Sequence, residues 1–163
     1  MHQQANTVVL NDLIKINNDR ILGYQKAIDQ LGDEDRDIKL LFTNMVSESQ
    51  HFNRELTRLA IHYGGDVSTT GTASGRLYRT WTDVKAVFTG GNRKAVLDNC
   101  EMGEDAALKA YEAALEEKDL TSDARELILR QQGSLQLSHD KIKRTRDGVE
   151  IITGLAKNEN SNI

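Results

Sequence analysis

Apolar residues recur three and four positions apart through most of the chain, which is the period of an α-helix and not of a β-strand. Glycines and small polar residues interrupt these stripes, as they commonly do where helices end. The pattern predicts four long amphipathic helices and one short helix. Their apolar stripes cover residues 10–31, 38–63, 77–88, 97–115 and 128–149.

Polar residues at the starts of the stripes predict where the long helices begin. Asn6 or Thr7 is the expected N-cap of the first helix, Asn92 of the third, and Thr121 or Ser122 of the fourth. Their side-chain oxygens accept hydrogen bonds from backbone amides that the first turn of a helix leaves unpaired.

The segment between the second and third long helices has a different composition. Residues 66–75 are rich in Ser, Thr and Gly and cannot hold a core, whereas Leu77, Trp81, Val84 and Phe88 have helical spacing. We expect residues 64–91 to form a crossover that packs this short fifth helix, with Trp81 buried, onto the bundle. Two helix pairs joined by one long connection predict an all-α four-helix bundle, as a single domain over residues 1–163 with its core at about 8–155.

Composition narrows the class of protein further. The 163 residues include no proline, which favours long uninterrupted helices, and carry a formal charge of -4, which argues against broad nucleic-acid binding. The basic stretch 141–146 is expected to be a solvated helix face. No run is long enough to cross a membrane, the N-terminus lacks an export signal, and the single cysteine, Cys100, fits a reducing compartment. These features predict a cytoplasmic protein that binds neither membranes nor nucleic acid.

Several polar residues interrupt the apolar stripes, where an unpaired carboxylate would be costly to bury. Glutamate or glutamine precedes histidine by three residues on the second and fourth helices, and two glutamates lie three apart on the third. Counted from the turns, these positions lie at one level of an antiparallel bundle. The candidate site residues are Glu48, His51, Glu101, Glu104, Gln136 and His139, with Asn17 at the same depth on the first helix.

This arrangement resembles the di-metal carboxylate pattern of ferritin-like bundles, in which two helices each supply a Glu and two supply Glu-x-x-His. The pair Gly23 and Tyr24 and the stretch 101–111 resemble more closely an uncharacterised bacterial family of ferritin-like four-helix-bundle proteins, a domain of unknown function, over about residues 8–150. The resemblance implies a ferritin-like fold and a carboxylate and histidine centre. It implies no established reaction.

The chain departs from the ferritin pattern at two of the six ligand positions, because Asn17 and Gln136 stand where carboxylates are expected. A bridged pair of metal ions needs several anionic oxygens, so the departures argue against an iron-oxidising centre and leave room for one divalent ion such as Fe(II), Zn(II) or Mn(II). Nucleophile motifs, phosphate-binding loops and dinucleotide fingerprints are absent from the sequence. Whether the chain is an enzyme stays open, with the balance against catalysis.

Two functional interpretations remain. In the first, the six residues hold a divalent metal ion in a protein that buffers metal or acts in a stress response. In the second, Glu48, His51 and His139 form a metal-free polar cluster, one of Glu101 and Glu104 lies on a solvated face, and the bundle acts through association. A homo-oligomer is expected in either case.

Overall fold

The structure is a computed structural model that describes residues 2–65 and 92–148. These residues form four long helices: α1 (His2–Gln30), α2 (Arg36–His62), α3 (Arg93–Leu115) and α4 (Ser122–Asp147). A short 3-10 turn, Asp33–Asp35, joins α1 to α2. No strand occurs within the described ranges. The predicted all-α class and four-helix bundle are confirmed. The proposed crossover helix with Leu77, Trp81, Val84 and Phe88 lies outside the described residues.

The helices are held as two antiparallel pairs. α1 packs along α2, α3 packs along α4, α1 also packs against α3, and α2 meets α4 over a shorter stretch. The side chain of Tyr63, just after α2, bonds to Thr121 before α4, while Arg93 at the start of α3 pairs with Asp35 and Asp37. α2 therefore ends beside the start of α4, whereas α3 begins at the opposite end, so α2 and α3 are parallel.

Two of the three predicted N-caps are found in the structure. Asn92 and Thr121 each accept a backbone amide hydrogen bond three residues on, from Ala95 and Ala124, so both predicted N-caps are confirmed. The prediction for the first helix was wrong, because α1 already begins at His2. Asn6 instead lies buried, and its Oδ1 accepts a hydrogen bond of 3.0 Å from the amide of Thr121. It ties α1 to the α3–α4 turn.

Two glycines, Gly64 and Gly65, follow the C-terminus of α2, and each position favours glycine for a different reason. Gly64 has φ +75, a left-handed conformation that costs glycine little. Gly65 lies so close to Thr7 on α1 that a Cβ atom there would overlap the threonine side chain. The pair lets α2 end and its backbone approach α1 closely.

One continuous apolar core runs through the four helices. Its fully buried members include Leu13, Phe42, Leu56, Leu97 and Ile128. Removing such side chains from water is the main term that stabilises the fold, at about 1.5–3 kcal/mol for each large side chain. None of the helices described is long and apolar enough to span a bilayer.

Candidate functional site

A buried arginine lies in the middle of the bundle, at the level of the predicted polar residues. Arg20 on α1 is fully buried. Its Nε donates to Glu104 Oε1 on α3 at 2.7 Å, and its Nη2 lies 2.9 Å from Glu48 Oε1 on α2. Its Nη1 donates to Ser49 Oγ at 2.8 Å. The guanidinium therefore connects three helices, a role that sequence reasoning did not assign to Arg20.

Hydrogen bonds extend this buried cluster to the fourth helix. Ser49 Oγ donates to Asn17 Oδ1 at 2.9 Å, and Asn17 Nδ2 donates to the hydroxyl of Tyr111 at 2.9 Å. Tyr111 in turn donates to Gln131 Oε1 on α4 at 2.7 Å. Ser138 on α4 donates to Glu48 Oε1 at 2.8 Å. Three residues of the predicted polar layer, Asn17, Glu48 and Glu104, therefore lie in this cluster, and amides, hydroxyls and the guanidinium supply most of its contacts.

Burial and charge together shift the pKa values of the residues in this cluster. Burial lowers the pKa of the Arg20 guanidinium, but the combined effect of Glu104, Tyr24 and Glu48 is larger and the pKa is raised overall. Burial raises the pKa of Tyr24 well above 10.0, and Glu104, which accepts the Tyr24 hydroxyl proton in a hydrogen bond, raises it further. Burial also raises the pKa of the Cys100 thiol. Arg20 is therefore charged, and Tyr24 and Cys100 are neutral.

A second cluster lies at the side of the bundle between α3 and α4. His139 Nε2 is 2.8 Å from Asp105 Oδ1 and 3.8 Å from Glu101 Oε1. Each of these three residues offers one ligand atom within 4.8 Å of the other two, and the group is unique in this respect among the residues described. The side chains of His139 and Glu101 are 13% exposed and that of Asp105 is 54% exposed. The site is open to ions from solvent.

Neighbouring side chains orient this side cluster. His139 Nδ1 lies 3.1 Å from Asp140 Oδ1, and the hydrogen bond with His139 lowers the pKa of the Asp140 carboxyl. Because an ionised carboxylate only accepts hydrogen bonds, the tautomer of His139 with its proton on Nδ1 donates to Asp140. Gln136 Nε2 donates to the same Asp140 oxygen at 3.1 Å. Arg146 pairs with Oε2 of Glu101, so Oε1 is the oxygen that faces His139.

The six predicted residues thus separate into groups. Glu48 and Glu104 meet at Arg20, and Glu101 and His139 share the side cluster. His51 points away from both: its side chain is 60% exposed and lies 3.5 Å from Glu55.

Gln136 is exposed and reaches the side cluster only through Asp140. Asp105 was missed at the sequence level because an aspartate beside Glu104 is typical of a solvated helix face. Its signal was the four-residue spacing from Glu101, which places both carboxylates on one face of α3.

The comparisons with known proteins agree with this architecture. The model of the family described as "Domain of unknown function (DUF2383)" matches residues 6–117. A solved structure of a mutant of Mycobacterium smegmatis Dps1 is similar with a TM-score of 0.80 at 16% identity, over 89% of this chain and 97% of that chain. A search of curated proteins finds no match. The likeness to Dps1 shows a ferritin-like fold, and the chain belongs to the DUF2383 family of domains of unknown function.

Proposed function

We propose that this ferritin-like protein binds one divalent metal ion per chain at the side cluster of Glu101, Asp105 and His139. The observation that supports the proposal is the convergence of one imidazole nitrogen and two carboxylate oxygens within 4.8 Å. Imidazole and carboxylate together suit Zn(II), Fe(II) and Mn(II). Asp105 and the Glu101 oxygen that does not pair with Arg146 supply the anionic ligands, and three protein ligands leave positions for water.

The surroundings of His139 favour this role. Histidines that bind metals usually donate their second ring N–H to a carboxylate, which fixes the ring and the tautomer. Asp140 accepts from Nδ1, and Gln136 in turn bonds to Asp140. Nε2 is therefore the nitrogen directed at Asp105 and Glu101, and in a neutral ring that donates from Nδ1 the lone pair of Nε2 is available to a metal ion. Because the cluster is open to solvent, a bound ion could exchange with ions in solution. We therefore infer that the protein buffers metal.

Thermal melts with and without added Mn(II), Zn(II) or anaerobic Fe(II) test the proposal. A ligand at one hundred times its dissociation constant stabilises the folded state by about 2.7 kcal/mol, or roughly 5–10 °C in Tm for a chain of this size. We expect this shift for the wild type and for His51→Ala, the matched control at an exposed histidine outside the cluster. His139→Ala should lose the shift.

The site is contradicted if His139→Ala keeps the whole shift. If His51→Ala then loses the shift, the metal binds instead at His51 and Glu55, which lie 3.5 Å apart on α2.

We also propose that the protein forms a homo-oligomer. Leu40, Ile61 and Leu137 are large apolar side chains that are each more than 60% exposed, and burying such side chains between subunits would remove them from water. Sedimentation at micromolar concentrations should give a species larger than the 18.2 kDa chain. A monomer at every concentration would refute the association.

A further inference from the structure

We propose that Arg20 is the resident cation of the bundle interior and occupies the position at which a ferritin-like centre would hold metal. Carboxylates projecting inward from facing helices form such centres. Here Glu48 on α2 and Glu104 on α3 both project inward, and the guanidinium lies between them at 2.9 and 2.7 Å. The inference concerns the interior and stands independently of metal binding at the side cluster.

The guanidinium makes contacts through all three of its nitrogens. Nε and Nη2 contact the two carboxylates, and Nη1 donates to Ser49 Oγ at 2.8 Å and to the backbone carbonyl of Met45 at 3.4 Å. Nη2 also lies 3.5 Å from the Met45 sulfur. A buried charge is tolerated when its partners are this complete. A second cation beside Arg20 would meet repulsion with little water to screen it.

Among residues 2–65 and 92–148, the donor set around Arg20 also lacks the imidazoles that a ferritin-like centre uses. His51 is exposed on the outside of α2, and His139 belongs to the side cluster. The metal that the fold family implies therefore does not fit the interior of this chain while Arg20 is present.

The buried carboxylate of Glu104 has one oxygen that could serve as a further ligand for a cation. Glu104 is fully buried, and its Oε2 has no hydrogen-bond partner although Oε1 accepts from both Arg20 and Tyr24. Without Arg20, the cavity would contain Glu104 and Glu48 and the hydroxyl of Ser49, a set of oxygen ligands. Oxygen ligands of this kind suit Mn(II). Removing the guanidinium should therefore create a metal site.

The test uses His139→Ala as the parent, so that the side cluster contributes nothing. Arg20→Ala in this parent should bind MnCl2 at one ion per chain, at least tenfold more tightly than the parent, by calorimetry and by loss of the free Mn(II) paramagnetic resonance signal. Adding Glu104→Gln should abolish the gain. Arg20→Lys, which keeps a cation, should behave as the parent does. Circular dichroism reports whether each variant is folded.

The inference is overturned if folded Arg20→Ala binds Mn(II) no more tightly than the parent. If that variant fails to fold, Arg20→Gln replaces it, since it fills much of the same volume without the charge. A further measurement needs no change at Arg20. Glu48→Gln in the wild type should leave Mn(II) affinity within twofold, and a tenfold loss would show that the interior already binds the metal. Failure of the side cluster would appear instead as a lack of effect of His139→Ala in the wild type.

Discussion

Replacing Glu104 by glutamine tests the energetics of the buried ion pair. The side chain keeps its shape and an acceptor for Arg20 and Tyr24, but the fully buried guanidinium loses its fully buried counter-charge. Removing one partner of a buried pair costs about 3–5 kcal/mol. The amide nitrogen of the glutamine would also stand at the position of Oε2, which has no hydrogen-bond partner. Each of its two N–H groups that stays without an acceptor there lowers the stability by about 1–3 kcal/mol. We expect Glu104→Gln to lower the free energy of unfolding by at least about 3 kcal/mol.

Glu48 offers a matched comparison within the same cluster. It contacts the same guanidinium, but its side chain is 25% exposed, so water can replace part of the lost interaction. Glu48→Gln should therefore cost less, about 1–2 kcal/mol. A double variant that combines Arg20→Met with Glu104→Gln should lose less stability than the sum of the two single variants. We expect a coupling energy of about 2 kcal/mol, because the two side chains are in direct contact.

Urea unfolding at 25 °C, followed by far-UV circular dichroism, measures these free energies, with equal m-values as the check that the variants unfold as the wild type does. The reasoning is refuted if Glu104→Gln costs less than about 1 kcal/mol, or no more than Glu48→Gln. Either result would mean that the Arg20–Glu104 pair is accessible to water.

Three further predictions concern pH and packing. Because the pKa of Tyr24 is raised in the folded state, its proton is retained there while the unfolded chain ionises above about pH 10. The contribution of Tyr24 to the free energy of unfolding is complete below pH 10 and falls by about 1.4 kcal/mol per pH unit above it. Tyr24→Phe should therefore reduce the loss of stability at alkaline pH. Tyr111, whose pKa burial also raises, should contribute a similar loss of stability with pH. Metal should bind the side cluster more tightly at pH 8 than at pH 5.5, because protons compete with the ion for its ligand atoms, and an affinity independent of pH would contradict this set of ligands. Asn6→Ala should cost about 1–3 kcal/mol in urea unfolding, because it leaves the amide of Thr121 without its acceptor; a loss below 0.5 kcal/mol would show that water replaces the asparagine.

The helices and two of their caps could be predicted because periodicity and capping are local properties of the sequence. The interior site could not. Arg20 lies beside Ile21 on α1, and a helical stripe is broad enough to include either residue, so the rarity of fully buried arginines favoured Ile21. Only the two carboxylates that α2 and α3 bring to Arg20 make its burial favourable, and no local pattern reports them.

The placement of the histidines shows the same limit. Three residues along a helix turn the chain about 300°, so residues three apart differ by about 60° in direction. On α2 this angle leaves Glu48 at the edge of the interior and His51 in solvent. On α4 it leaves Gln136 outside and His139 against α3. The three-residue spacing predicted that both side chains of each pair face inward, but the rotation of each helix leaves one of the two in solvent.

Anomalous diffraction from crystals grown with Mn(II) or Zn(II) locates a bound ion without any substitution, so it is the most direct test of metal binding at the side cluster. We expect one peak per chain between α3 and α4, about 2.0–2.1 Å from His139 Nε2 for Zn(II) and in contact with Asp105 and Glu101. We expect no peak between Glu48 and Glu104, where Arg20 lies. A peak in that interior position, or none at His139, would contradict metal binding at the side cluster.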